Sequence, residues 1–315
     1  MKKTQRNILN IVILVLIILL ILKPFSGYAP AKTASLAPEV GNTLAGNAVI
    51  AYNNNKYYAF SGNTVKVYNL GDPVHFKTYN LGMQVTAAAI VKPYIYVLHM
   101  KQINGSNVQY MYKYDLNFKV IKSITTTYAD QGMGLARNNS SIFAYNLSGY
   151  VADQYDPNLK LVKTHTLVTN DMYTRDVGVV NLGADSENLY ALYDTGPATI
   201  GRINISTGAI TVVSDALLID ATAFSGIPKR INIYNGNVYF TGIFAEDPLS
   251  IQIRKYSNSL QFLGLVASVP SFDDENIPRV MDNLMYITTL RGMPAGTSPN
   301  YVINLDNGQV LATPH

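Results

Sequence analysis

The chain has 315 residues, 24 Lys and Arg against 20 Asp and Glu, and neither Cys nor Trp. The absence of Cys excludes disulfides, thiolate metal sites and cysteine nucleophiles, and the absence of Trp excludes sialidase-type Asp boxes and quinoprotein docking motifs, which need it. The formal charge of +4 belongs to the N-terminus: beyond residue 32 there are 19 basic and 20 acidic groups, which gives no electrostatic case for nucleic acid as a partner.

Lys2, Lys3 and Arg6 precede residues 8–22, an uncharged apolar run interrupted only by Asn10 and ended by Lys23-Pro24. This predicts one hydrophobic helix within residues 1–25, inserted with the N-terminus inside and the rest of the chain outside the cytoplasm. Fifteen residues span about 22 Å as a helix, short of a ~30 Å hydrocarbon core. Ala29-Pro30-Ala31 has the small-residue form of a cleavage site, set rather far from the apolar run. An uncleaved single-pass anchor and a signal removed on secretion both remain open. Residues 26–45 are rich in Ala, Pro, Ser and Thr and read as an extended stalk.

From residue 46 onward the chain repeats itself. Aromatic residues centre a short strand at Tyr58, Tyr96, Phe143, Tyr190, Tyr239 and Tyr286, with gaps of 38, 47, 47, 49 and 47. A second landmark closes the next strand at Tyr68, Tyr114, Tyr155, Ile203, Tyr256 and Ile303. Turns rich in Asn precede the first landmark, as at 53–55 and 235–237, and Asx-type turns follow the second, as at 115–117 and 156–158. Asn and Gly accept the left-handed backbone that tight hairpins require. A fourth strand is then predicted at stretches such as 74–79, 119–125 and 159–164, and no sustained helical period occurs beyond residue 32. A period near 47 suits a four-stranded propeller blade, and closing six blades into a ring buries faces that no single sheet can cover. The expected fold is therefore all-β, a six-bladed β-propeller at 46–315. A seventh blade would have to come from 33–48, and Pro38, Gly41 and Gly46 argue against it.

The phrase Tyr57-Tyr58-Ala59-Phe60-Ser61-Gly62-Asn63-Thr64-Val65-Lys66-Val67-Tyr68-Asn69 resembles the blade repeat of YVTN-type, surface-layer-like β-propellers. That resemblance covers most of 46–313 in outline and implies a propeller outside the cytoplasm, while saying little about chemistry. The composition, rich in Asn and Tyr, is similar to that of surface proteins of archaea or their viruses.

Catalytic signatures are sparse. There is no G-x-S-x-G elbow, Walker loop or H-E-x-x-H, and His75, His99, His165 and His315 stand at no ligand spacing. Charge instead gathers before the predicted inner strands: Asp130, Arg175-Asp176, Lys229-Arg230, then Asp273-Asp274-Glu275 and Arg279. In a propeller these starts converge on the central channel, so Asp130, Arg175, Asp176, Arg230, Asp274 and Arg279 are the candidate ligand-binding residues. The plainer alternative is that they pair with one another and with channel water. No motif calls for a cofactor. The acidic run has calcium-ligand chemistry but lacks the alternating D-x-D spacing of compact loops. N-x-[ST] sequons begin at Asn104, Asn138, Asn139, Asn146 and Asn204, no more than chance supplies, and are the glycosylation candidates.

Three functional classes fit. One is a membrane-tethered or secreted binding module that recognises a surface glycan or protein. Another is a structural subunit contacting its neighbours in a cell or virion coat. The third is an extracellular hydrolase or lactonase using channel carboxylates and a divalent cation.

Overall fold

In the computed structural model the described residues are 49–53, 56–69, 72–126, 133–146, 150–174, 177–193, 199–214, 230–244, 247–270, 276–281, 283–289 and 301–312. They belong to the second of two compact units, Ser35–His315; the first, Met1–Ala34, lies outside the described residues, as do the predicted helix at 1–25 and the stalk. No helix among the described residues is long and apolar enough to cross a membrane.

The described strands form six four-stranded antiparallel sheets, each in simple chain order. Blade 1 is β1 (Val49–Asn53), β2 (Lys56–Ser61), β3 (Thr64–Asn69) and β4 (Asp72–Asn80), and blade 2 is β5 (Gln84–Val91), β6 (Tyr94–Ile103), β7 (Ser106–Tyr114) and β8 (Val120–Thr125). Blade 3 is β9 (Met133–Arg137), β10 (Ile142–Asn146), β11 (Val151–Tyr155) and β12 (Leu161–Thr166), and blade 4 is β13 (Val179–Ala184), β14 (Asn188–Tyr193), β15 (Thr199–Asn204) and β16 (Ile210–Ser214). Blade 5 is β17 (Arg230–Tyr234), β18 (Asn237–Phe244), β19 (Asp247–Tyr256) and β20 (Phe262–Pro270), and blade 6 is β21 (Asn276–Met281), β22 (Leu284–Thr289), β23 (Tyr301–Asn304) and β24 (Val310–Ala312). The first strands touch in the circular order β1, β5, β9, β13, β17, β21 and back to β1, so the ring closes with six blades. Each blade draws on one continuous stretch of chain. Closure therefore rests on packing between β21 and β1, not on a sheet shared by the two chain ends.

The second strand of each blade carries the first landmark and sits deepest; every residue of β10 and β14 is buried. The fourth strands form the rim. Val120, Ile121, Leu161 and Val162 are 48–58% exposed there, each pair flanked by exposed lysines, Lys119 and Lys122 or Lys160 and Lys163. Lysines beside an open strand edge oppose pairing with another edge.

Turns between third and fourth strands use one device in two forms. In blades 2 and 3 an Asp carboxylate accepts two backbone N–H groups: Asp115 from Asn117 and Lys119, both 2.9 Å, and Asp156 from Asn158 at 2.8 Å and Lys160 at 2.9 Å. In blade 5 the Ser257 hydroxyl accepts from Ser259 and Gln261. Each of these turns then places a large apolar residue in left-handed backbone: Phe118 at φ 60°, Leu159 at 58° and Leu260 at 64°. That conformation costs an L-residue about 1–2 kcal/mol, and burial offsets it, because all three side chains fill the interface with the preceding blade. Blades 4 and 6 instead put Gly208 and Gly308 at positive φ and anchor with Ile205 and Leu305. Leu159 is thus a turn anchor, and the strand expected from 159 begins at Leu161.

The landmark aromatics reach these same turns on the next blade. Tyr58 meets Phe118 edge-on at 5.9 Å, the Tyr96 hydroxyl donates to the Pro157 carbonyl at 2.8 Å, and the Tyr190 hydroxyl lies 3.3 Å from the Asn258 carbonyl. Lys163 on β12 extends the pattern by donating to the Ile205 and Ser206 carbonyls at 3.0 and 3.1 Å. Burial pushes the Tyr96 hydroxyl pKa up to about 12, so it stays a donor. Tyr96→Phe removes that bond while keeping the ring, and is expected to cost about 1 kcal/mol in urea unfolding; an unchanged midpoint would show that the bond contributes nothing across this interface.

Among the described residues one helix departs from the expectation of strands alone beyond residue 32: α1 (Asn170–Thr174), a single turn between β12 and β13. The Thr169 hydroxyl accepts the Met172 N–H at 3.4 Å as an N-cap, and buried Met172 joins the core of blades 3 and 4. Five residues are too few to show a helical period in sequence.

Candidate functional site

A cavity of about 720 Å³ lies at the ring axis, walled by β5, β9, β13 and β17 with Val280 of β21. The first strands run from a face where each begins to a face where hairpins lead into the second strands. The cavity reaches the hairpin face, where Arg137–Ser140, Asp185–Glu187 and Tyr234–Gly236 border it. Asn235 (φ 47°) and Gly236 (φ 69°) form the two-residue left-handed turn that Asn-Gly favours.

Small residues make the space. At the level of the landmark aromatics, β5, β9 and β13 present Ala89, Ala136 and Gly183, paired with Tyr96, Phe143 and Tyr190. A Cβ on Gly183 would sit 3.0 Å from Ile231 Cγ2, so blades 4 and 5 approach as closely as glycine permits. At that level β17 carries Asn232, paired with Tyr239.

Polar side chains stitch the inner strands together. Asn181 Oδ1 accepts the Ile231 N–H at 2.7 Å, joining β13 to β17 beside the bulge that interrupts β13 between Val179 and Asn181. Asn138 Nδ2 donates to the Asp185 carbonyl at 2.8 Å, while its Oδ1 accepts the N–H groups of Ser140 and Ser141. The Asp185 carboxylate is held within its own blade: Oδ1 accepts from the Glu187 and Asn188 N–H groups, and Oδ2 from the Tyr190 hydroxyl at 2.6 Å. Burial and that carboxylate together push the Tyr190 pKa up.

Two polar groups of the inner strands lack a side-chain partner among the described residues. The Arg137 side chain makes no hydrogen bond or ion pair with any described residue. Burial by the channel wall pushes its pKa down, yet more than a third of the residue meets solvent, so it remains a hydrated cation. Asn232 Nδ2 is buried without a hydrogen-bond partner. Among the described residues no histidine lines the cavity: His99 and His165 are buried in blades 2 and 3, and His75 is exposed on β4.

Of the candidates read from sequence, Arg230 opens β17, is partly buried and borders the cavity. Arg279 lies on β21, paired in register with Tyr286. Asp130, Arg175, Asp176 and Asp274 lie outside the described residues, as does the acidic run around Asp274. Among the described residues no group of three or more His, Asp or Glu side chains is placed to hold a metal ion. Asn104 is exposed at the tip of the β6–β7 hairpin, and Asn139 is exposed in the β9–β10 turn. Asn138 and Asn146 are buried, and Asn204 Oδ1 caps its turn by accepting the Ser206 and Thr207 N–H groups.

Arg137, Asn181 and Asn232 were not among the sequence candidates, which were sought only before each first strand. A column-by-column comparison of the inner strands would have exposed Arg137. The residues at its level are Ile90, Ala184, Ile233 and Val280, each, like Arg137, paired with the residue just before its blade's landmark aromatic.

No protein-family model matches the chain, and no curated protein matches it. Solved structures do. Chaetomium thermophilum Raptor is similar at TM-score 0.53 and 9% identity over 85% of this chain, which spans 24% of Raptor. BamB from Moraxella catarrhalis is similar at TM-score 0.43 and 11% identity, covering 84% of this chain and 71% of that one. A Bacteroides caccae protein of unknown function is similar at TM-score 0.42 and 10% identity, over 69% and 80% of the two chains. The Raptor likeness bears on fold alone, and the two looser ones carry no argument.

Proposed function

We propose that this chain is an extracytoplasmic β-propeller, tethered by its N-terminal apolar segment or released after cleavage, that works as a binding module. Its partner is a surface glycan, a surface protein or a neighbouring coat subunit. The observation that carries this reading is the axial cavity, where neutral amides and hydroxyls, a few charges and small apolar side chains border a space of ligand size. The basic N-terminus ahead of residues 8–22 supports the external location, and the YVTN-like phrase around Tyr58 agrees with it.

Alkaline phosphatase fused after His315, in a bacterial host, is expected to be active, since that enzyme matures only outside the cytoplasm; an inactive fusion of normal abundance would overturn the location. Glycan-array and cell-binding assays with the full chain test the module. Chelator-sensitive turnover of a lactone or glycoside, lost in Asp274→Asn, would replace it with the hydrolase.

A further inference from the structure

We propose that the rim of blades 2 and 3 docks on an anionic lipid surface through two matching segments, Lys119-Val120-Ile121-Lys122 and Lys160-Leu161-Val162-Lys163. This goes beyond the reading above and does not depend on what the axial cavity holds.

The first argument is that one structural device occurs twice, side by side. In blade 2 Lys113 pairs with Lys122 and Tyr114 with Val120, which leaves Ile121 as the extra residue of a bulge. In blade 3 Gln154 pairs with Lys163 and Tyr155 with Leu161, which leaves Val162 in the same place. A bulge breaks the in-and-out alternation of a strand, and here it leaves two consecutive apolar side chains 48–58% exposed on each blade. The lysines on either side of each pair are exposed as well. The two segments adjoin, because Lys122 Nζ donates to the Asn158 carbonyl at 2.7 Å, two residues before Lys160.

The second argument is charge. The four lysines stand against two aspartates, Asp115 and Asp156, and each aspartate turns its carboxylate onto two backbone N–H groups of its own turn. Lys122 and Lys163 bond to neutral carbonyls, which leave their charge uncancelled. Protection of an open edge does not account for these lysines. Blade 5 opens its fourth strand on the same bulge, with Phe262 and Leu263 54–56% exposed, and no charged residue stands between Ser257 and Pro270. The lysines therefore belong to this sector of the rim and not to the turn form.

The third argument selects the partner. Lys is depleted from protein–protein interfaces, Leu and Val are under-represented among their hot spots, and neither segment offers a Tyr, Trp or Arg anchor. At a lipid interface the same residue types fit. Aliphatic side chains enter the acyl boundary, and lysine stems lie along it while their ammonium groups stay with the phosphates.

The chain has no Cys, so an environment-sensitive dye can be set at one position at a time in the full chain. Ile121→Cys and Val162→Cys place it in the two segments. Leu263→Cys is the control, at the equivalent bulge of blade 5, across the ring from blade 2. The dye reports only its own surroundings, so attachment of the chain through residues 8–22 does not register. With vesicles of mixed phosphatidylcholine and phosphatidylglycerol, emission at 121 and 162 is expected to shift to the blue, while the dye at 263 stays in water. Phosphatidylcholine alone should give little shift, and so should about 1 M salt, where the Debye length falls to about 3 Å. Lys119→Gln and Lys160→Gln should each lower the ratio of docked to undocked dye about fivefold. No shift with the anionic vesicles would overturn the proposal, as would an equal shift with phosphatidylcholine alone, an equal shift at 263, or indifference to the two lysine substitutions. A shift on adding polyglutamate but none with vesicles would overturn it and assign the rim to an acidic protein partner.

Discussion

Phe118→Ala is expected to lower the unfolding free energy by about 3–5 kcal/mol, the largest single-residue effect anticipated for this ring. Phe118 sits in the blade 2 turn with its ring centroid 5.9 Å from Tyr58, 6.0 Å from Phe60, 4.9 Å from Tyr79 and 5.8 Å from Tyr114. Three of those rings belong to blade 1, so truncation opens a cavity between blades that neither sheet can collapse to fill. The same residue has φ 60°, which sets up a second comparison. Phe118→Gly loses the same contacts but removes a left-handed strain of about 1–2 kcal/mol, against a glycine entropy penalty of about 0.5–1 kcal/mol. Glycine is therefore expected to be at least as stable as alanine at this position, the reverse of the usual strand order. Urea unfolding of the full chain, followed by circular dichroism, measures both. A loss under about 1 kcal/mol for Phe118→Ala, or alanine clearly ahead of glycine, would remove the turn anchor from the account of how blades hold together.

Acidification between pH 6.5 and 4 is expected to destabilise the propeller through His99. The imidazole is fully buried in β6, and burial pushes its pKa down to about 4, against an ordinary value near 6.5. Its neutral form fits the site with Nδ1–H donating to the Met83 carbonyl at 3.3 Å and Nε2 accepting the Tyr114 hydroxyl at 2.9 Å. Burial raises the Tyr114 pKa, which keeps that hydroxyl protonated. Since the folded pKa lies below the unfolded one, the unfolded chain takes up a proton first as pH falls. The stabilisation is complete above pH 6.5 and is lost through pH 4, by up to about 3 kcal/mol. His165 shifts in the same direction, by burial and then by Lys163, so His99→Gln should flatten the dependence without abolishing it. Melting temperatures from pH 7.5 to 4 for both proteins decide this. Parallel curves would show that His99 is protonated in the fold without penalty.

The blade count was legible because each landmark does structural work once per blade. Tyr58, Tyr96 and Tyr190 recur at near-constant spacing because each must reach the third-to-fourth-strand turn of the next blade. The Asn-Gly turn at Asn235-Gly236 was equally readable, since its backbone demands those residue types. Leu159 was misread as a strand residue: an apolar side chain after a turn looks the same whether it starts a strand or anchors the turn. The single turn α1 left no periodic trace. Of the charged residues that cluster ahead of the inner strands, Arg230 borders the cavity, but Arg137 and Asn232 drew no notice, because neither stands in any local motif.

Local chemistry, written in order along the chain, was enough to set the strand alternation, the turn types and the six-fold repeat, together with the expectation of a basic apolar leader. Those features depend on neighbours a few residues apart, and a linear text records such neighbours directly. The identity of the cavity wall was decided only when residues from blades 2 to 6, separated by up to nearly two hundred positions, met at one axis. Whether a buried amide or an arginine is left without a partner is a property of that convergence, and no segment carries it alone.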